Sequence, residues 1–413
     1  MAAEPRVGQA VSALRGVRTV DGASVDVSIG PDGRVGSVVP ATGDPAGKGE
    51  LELPGWVVLP SAVEPHAHLE KALTWSAMGA PYGDLFTAIE SWSRYAVDMT
   101  EADVADRARR ALGRYLAAGF TAVRSHVNVV VAAADPLCGV RALVGLREEL
   151  RDVLDLQVCL LADHQMPVEL IERALDLGVD LLGGSAHRAP DPAAEVNRLV
   201  DIAQRRDLEM DLHTDEQTNP EALTILELAR QWRSRGLRRR VAASHCVSLG
   251  CLARPALDAV LAEVSAVGMS VVTLPITNLY LQGRSSDRPK PRGLTAVREL
   301  LAAGITVAAG GDNLRDPFNP VGRPDPFETT SLLITAAHLD AGEALTAVTD
   351  AGRAVLGLPA AGPVAGRLAD LLVVQAEDLS DVVAGPVGSR LVLRRGRVVA
   401  YTSVRRETAL GVG

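Results

Sequence analysis

Eight times between residues 56 and 360 the chain repeats one pattern: a short apolar, β-branched run, then a stretch with helical apolar periodicity. Alternation of this kind predicts parallel strands joined by covering helices, and eight units predict an α/β fold of the (β/α)8 TIM-barrel type. The predicted strands are 57–60, 122–127, 156–162, 179–183, 210–213, 241–245, 269–274 and 306–312. One helix carries clear end signals: Asn219 as cap, Pro220 at the first position, and Gly236 as the stop. Its apolar stripe is Ala222, Ile225, Leu226, Ala229 and Trp232. The chain ends differ. Short apolar runs alternate with Gly/Pro/Asp turns, as in Val25-Asp26-Val27-Ser28-Ile29 before Gly30-Pro31-Asp32-Gly33, and Asp370-Leu371-Leu372-Val373-Val374 near the other end. Residues 1–55 and 361–413 are therefore expected to pair into a small β-sandwich domain beside a barrel of residues 56–360. The proline-rich stretch 317–326 is expected to be a long loop after the eighth strand.

With 413 residues, 47% of them hydrophobic, the chain can bury a large core. A net charge of −9 disfavours a nucleic-acid surface. The cluster Arg233, Arg235, Arg238, Arg239 and Arg240 is expected to be a solvated face. The four cysteines, Cys138, Cys159, Cys246 and Cys251, form no C-x-x-C pair, which fits a reducing compartment. No apolar run approaches the roughly 18 residues of a membrane span, and no apolar leader stands near the N-terminus. The expected location is cytoplasmic, with neither membrane nor nucleic acid as a partner.

Active sites of such barrels lie at the C-terminal ends of the strands. Six of the eight histidines fall at or just beyond those ends: His66, His68, His126, His164, His213 and His245. His187 follows the fourth predicted strand after a few residues, and His338 sits in a helical stretch. His66 and His68, in Glu64-Pro65-His66-Ala67-His68, face one side, because side chains on extended backbone alternate with period two. His213 opens His213-Thr214-Asp215-Glu216, and Asp312 lies in Gly310-Gly311-Asp312-Asn313. His66, His68, His213 and Asp312 supply three nitrogens and one oxygen, a set suited to one Zn2+ or Fe2+ with a position left for water. Such an ion lowers the pKa of water toward roughly 7. Glu216 is then placed to carry a proton from water to a leaving nitrogen. His245 either orients that water or serves as a further ligand. Ala308, Ala309, Gly310 and Gly311 leave room for a ligand beside Asp312. Lysine occurs three times, at 48, 71 and 290, and none falls at the end of the fourth strand, where two-metal barrels commonly carry a carboxylated lysine. One metal is expected.

In this order the residues resemble the amidohydrolase superfamily, more closely its bacterial cytosine deaminase branch. The resemblance spans nearly the whole chain. It rests on Leu59-Pro60-Ser61-Ala62-Val63-Glu64-Pro65-His66-Ala67-His68-Leu69, Arg124-Ser125-His126-Val127, His213-Thr214-Asp215-Glu216, Ser244-His245, and Gly311-Asp312-Asn313 with Asp316-Pro317-Phe318. Asn278-Leu279-Tyr280-Leu281-Gln282-Gly283-Arg284, with Pro289-Lys290-Pro291-Arg292-Gly293, narrows the branch. The resemblance implies metal ligands at His66, His68, His213 and Asp312, a proton shuttle at Glu216, a water-orienting His245, and Asp312 as acceptor of a proton from that water. It implies hydrolytic deamination of an amino-substituted heterocycle (cytosine-like, pterin, triazine or creatinine-like) with release of ammonia. The alternatives are loss of an alkylamine from an N-substituted heterocycle and hydrolysis of a cyclic amide. Relatives of this kind are usually homo-oligomers.

Departures fall where substrate is recognised. A Phe-Pro-Gln-type segment is replaced by Ala162-Asp163-His164-Gln165-Met166-Pro167, making Gln165 the nearest candidate for ring recognition. Asn313 stands where a second aspartate is frequent, and Phe318 where a tryptophan is. Gln165, Asn313, Phe318 and His187 are the candidate substrate-binding residues. The stretch after His68 is Leu69-Glu70-Lys71-Ala72-Leu73-Thr74-Trp75 rather than Leu-Asp-Thr-Thr. Residues 71–99, rich in aromatics, are expected to cover the pocket.

Overall fold

The computed structural model describes residues 4–221, 223–284, 293–407 and 409; Ala222 and the 289–292 part of the branch segment lie outside them. Eight parallel strands follow one another in chain order: Ala62–Ala67, Phe120–Asn128, Asp155–Ala162, Leu181–Gly184, Glu209–Thr214, Val241–His245, Ser270–Thr273 and Val307–Ala309. Successive strands pair in parallel register, and the seam between last and first is bridged at Ala67 and Asp312. Helices cover the outside. This is the expected (β/α)8 barrel.

The first barrel strand is not 57–60. Trp56–Pro60 pairs antiparallel with Leu371–Gln375 and touches Ala13–Arg18 in the sheet built from the chain ends. Its apolar continuity has a physical cause other than barrel burial. Val57 and Leu59 pack on the main core, whereas Val58 enters a separate core with Leu14, Val27, Leu371 and Leu391. A strand buried on both faces lacks polar alternation wherever it sits. The true first strand, Ala62–Ala67, carries Glu64, Pro65 and His66, which hid it.

The terminal segments form one eight-stranded sheet, ordered Arg397–Thr402, Arg390–Arg394, Leu371–Gln375, Trp56–Pro60, Ala13–Arg18, Ser24–Ile29, Val35–Pro40, with Glu50–Glu52 also on Ala13–Arg18. Alternate residues face its own core and the barrel: Leu371 and Val373 one way, Leu372 and Val374 the other. Arg394 Nη2 meets Asp155 Oδ1 at 2.7 Å and Arg390 Nη1 donates to the Ala118 carbonyl at 2.7 Å, tying the sheet to the barrel.

Inside the barrel, Arg124 and Asp211 form a fully buried ion pair at 2.7 Å. Arg124 also donates to Gln157 and to the Val355 carbonyl, so it links the second, third and fifth strands to helix Asp350–Leu356. Asp211 accepts Ser244 Oγ at 2.7 Å. Burial pushes its pKa up, but His126, Arg124 and Ser244 together hold its carboxyl well below the ordinary range.

Helix Thr224–Ser234 starts later than Asn219 and Pro220 suggest. Asn219 Oδ1 instead accepts the Glu221 amide within the preceding loop. The helix is capped from outside its own sequence neighbourhood: Asp215 accepts the Thr224 amide and hydroxyl at 2.7 Å each and the Ile225 amide at 3.1 Å. A distant carboxylate satisfies the free N–H groups that a local cap would have taken. Because Asp215 adjoins Glu216, the same contacts brace the loop that carries Glu216.

Candidate active site

His66 lies in the first strand and His68 one residue beyond it; His213 lies in the fifth, and Asp312 follows the eighth by three residues. Their ligand atoms converge. His213 Nε2 is 3.1 Å from His66 Nε2 and 3.2 Å from His68 Nε2. Asp312 Oδ1 is 3.4 Å from His68 Nε2 and 3.8 Å from His66 Nε2. Asp312 Oδ1 accepts no hydrogen bond among the described residues. His68 Nδ1 donates to the His126 carbonyl at 2.9 Å, which leaves its Nε2 unprotonated and facing the others.

Burial, reinforced by mutual repulsion, holds His66 and His213 well below the ordinary imidazole pKa; burial, with Lys71 nearby, brings His68 to about 4. Neutral nitrogens this close repel one another unless a cation lies between them. Ligands about 2.05 Å from a tetrahedral centre stand about 3.3 Å apart, and the observed separations bracket that value. The donor set fits a divalent metal.

Backbone strain accompanies the cluster. His245, Asp215 and Asp312 have φ of 71°, 53° and 64°, left-handed values that non-glycine residues seldom adopt. Glu64 supports the seam: its carboxyl accepts the amides of Gly311 at 2.9 Å and His66 at 3.2 Å, and burial pushes its pKa up to about 8. Glycine at 310 leaves room for this carboxyl, since a Cβ there would lie 2.0 Å from Glu64 Oε1 and force it to move. His126 stacks on His66 with centroids 3.9 Å apart and approaches Asp211 at 3.4 Å.

Glu216 lies in the wall of the same cavity, its Oε1 3.6 Å from His245 Nδ1. Asn278 joins the two: its Nδ2 is 3.0 Å from His245 Nδ1 and donates to Glu216 Oε1 at 3.4 Å. Gln282 donates to the Glu216 carbonyl at 2.9 Å. Burial raises the Glu216 pKa to about 7, against the pull of Arg188 and Lys71, so its carboxyl can exchange a proton at neutral pH.

The cavity measures about 520 Å³ and is lined by His68, His213, Glu216, His245 and Asp312. Gln165, Asn313 and Phe318 line it as expected. His187 is not among its lining residues: its ring sits against the His213 backbone carbonyl at 3.1 Å, bracing the strand that bears His213. From segment 71–99, Lys71 and residues Leu85, Ile89, Trp92 and Ser93 of helix Leu85–Tyr95 form one wall, and Trp92 donates to Asn128 Oδ1 at 3.0 Å.

Sequence reasoning did not assign Asn278 and Gln282 a role, although both lie in the branch segment; the spacing of four that places them on one side of a helical turn was the available signal. It also passed over Arg188, and over Lys71 despite the rarity of lysine.

A parallel barrel whose strand ends gather histidine nitrogens and a carboxylate able to hold a metal ion, beside a second buried carboxyl, has the build of the metal-dependent barrel hydrolases. Residues 95–400 match the amidohydrolase family, and the chain belongs to that family. A pterin deaminase from Rhizobium rhizogenes is 31% identical over 379 residues, 89% of this chain and 86% of its own. An N-isopropylammelide isopropyl amidohydrolase from Pseudomonas sp. strain ADP is 26% identical over 374 residues, 86% of this chain and 89% of its own. The crystal structure of 5-methylcytosine deaminase from Klebsiella pneumoniae, liganded with 5-fluorocytosine, superimposes with a TM-score of 0.87 at 29% identity, covering 96% of this chain and 99% of that one.

Proposed function

We propose that the protein is a hydrolytic deaminase of an amino-substituted heterocycle, with one divalent ion, Zn2+ or Fe2+, held by His66, His68, His213 and Asp312. The observation that carries this is the presence of Glu216, buried with a pKa of about 7, in the same cavity as the convergent nitrogens. When bound, the ion supplies Lewis-acid activation of water near neutral pH. Glu216 accepts a proton from that water, delivers it to the ring nitrogen beside the reacting carbon, and then protonates the departing amine. Asp312, beside Glu216, accepts the second proton of the water and passes it to Glu216 for that last transfer to the amine. His245, fixed by Asn278, orients the water. The likeness to a pterin deaminase and to a 5-methylcytosine deaminase supports ammonia as the product. A second reading, release of an alkylamine from the same site, is favoured by the 26% identity to the isopropyl amidohydrolase.

The test is a screen of amino-heterocycles for released ammonia, alkylamine or acid, with bound metal measured in parallel. Ammonia release with one equivalent of metal is expected. Alkylamine as the only amine product selects the second reading, and acid without amine excludes both.

A further inference from the structure

Two cations in the cavity are not used by the proposed chemistry. Lys71 is buried, with its side chain 5% exposed. Its ammonium lies 4.7 Å from the Phe318 ring centroid and 5.7 Å from that of Trp92. His68 Nδ1 is 3.4 Å away but carries the proton given to the His126 carbonyl, so it cannot accept from Lys71. The remaining neighbour, Glu70 Oε1, is at 3.8 Å, beyond hydrogen-bond distance, and that oxygen already accepts the Asn128 amide at 3.0 Å. A buried ammonium has three donors, and here an aromatic enclosure steadies its charge while leaving those donors unmatched among the described residues.

Arg188 comes from the opposite side of the barrel, in the turn Ala186–Arg188 after the fourth strand. Its guanidinium lines the cavity and donates no hydrogen bond among the described residues; its ion-pair partner, Asp163, stays 3.7 Å away. Asp163 Oδ1 accepts the Gln165 amide at 3.0 Å, and Oδ2 faces Arg188 beyond hydrogen-bond distance. A guanidinium left in this way presents a planar fork suited to a carboxylate. The cavity volume of about 520 Å³ falls in the roughly 300–1,000 Å³ range that holds drug-sized ligands, so a ring with a substituent fits.

We propose that the substrate is an amino-heterocycle bearing a carboxylate, with Arg188 pairing the carboxylate and Lys71 donating to a ring acceptor near the reacting carbon. This rests on the deaminase reading above and narrows it to an acidic substrate class. Lys71 is buried and gains from an acceptor on the ligand, while a carboxylate gives the exposed Arg188 fork a two-point partner inside the cavity. A neutral ring of the same size leaves the Arg188 fork unpaired.

The experiment uses matched probes on the metal-loaded protein: cytosine with its 5- and 6-carboxylates, and pterin with its 6- and 7-carboxylates. Ammonia release and calorimetric binding of each probe are measured. At least one carboxylate is expected to exceed its parent by about tenfold or more in kcat/KM and in affinity, the scale of a charge-assisted hydrogen bond. Arg188→Met should abolish that preference by raising KM for the carboxylate about tenfold more than for the parent. Lys71→Met should weaken parent and carboxylate alike. Preference for the parent over every carboxylate, or equal losses on both in Arg188→Met, overturns the proposal and leaves the deaminase reading intact. Arg188-dependent binding of a carboxylate without ammonia from any probe supports acid recognition and refutes deamination.

Discussion

Replacing Glu216 by glutamine separates what this carboxyl does for stability from what it does for turnover. In the metal-free protein, burial raises its pKa from the ordinary 4.5 to about 7. Between those values the folded chain holds a proton that the unfolded chain has released. The stability this provides is fully present below pH 4.5 and is lost as pH rises through 7, the opposite of a salt-bridged carboxylate. At about 1.36 kcal/mol per pH unit, the loss across that window is about 3 kcal/mol. Glu216→Gln has nearly the same shape and no proton to lose. Urea unfolding of both metal-free proteins at pH 5 and pH 8 should show the variant gaining on the wild type by about 2–3 kcal/mol. A stability gap that changes by less than ~0.5 kcal/mol, the size of an ordinary surface substitution, refutes a buried carboxyl that stays protonated up to about pH 7. Loading with Zn2+ places a positive charge nearby, lowers the Glu216 pKa and should close the gap. The loaded variant should keep its metal and lose turnover, and full activity would remove Glu216 from the mechanism.

Other perturbations test separate parts of the site. Asp312→Asn should lower metal affinity by more than the roughly 10–100-fold typical of losing an outer partner, read by metal content after dialysis; undiminished content removes Asp312 from the ligand set. Asn278→Ala frees both His245 and Glu216, so kcat should fall about 10–100-fold with KM little changed, and an effect confined to KM would make Asn278 a substrate contact instead. Arg124→Met strands the buried Asp211 carboxylate and should cost about 3–5 kcal/mol in denaturant unfolding. Adding Asp211→Leu should recover much of that loss, and simple additivity of the two would show that the pair is not coupled.

The parts of the fold that could be seen in the sequence were those governed by period. The second to eighth barrel strands and the two-ended terminal sheet were visible because burial on both faces, or alternation on one, leaves a mark on consecutive residues. The first strand was misplaced because Trp56–Pro60 is buried on two faces by two different cores, while Ala62–Ala67 breaks its apolar run with the residues that serve the site. The candidate ligands were legible for the same reason: polar residues at the ends of apolar strands stand out one at a time. Contacts made across the barrel left no such mark. Asp215 capping Thr224, Asn278 joining His245 to Glu216, and Glu64 closing on Gly311 each depend on register between distant segments. His187 shows the limit of placement by strand end, since it sits in the right region and turns to a backbone carbonyl.

The misplaced strand also explains how the site is held rigid. Only Ser61 separates Trp56–Pro60, locked in the terminal sheet, from Ala62–Ala67, which carries His66. Ser61 is itself buried, its hydroxyl 2.6 Å from that of Thr121 in the second barrel strand. Leu372 of the terminal sheet presses on Gly119, where any Cβ would meet it at 2.6 Å, and Gly119 leads directly into that second strand. The terminal sheet therefore fixes the base of both strands whose far ends bear His66 and His126. At the other end Glu64 joins the first strand to Gly311 and so to Asp312. A strand clamped at its base by one sheet and near its tip by a carboxyl has little freedom to shift in register. Four candidate ligand atoms can then be held within a few ångströms of one another although their neutral nitrogens repel, which is the preorganisation a metal site needs before its ion arrives.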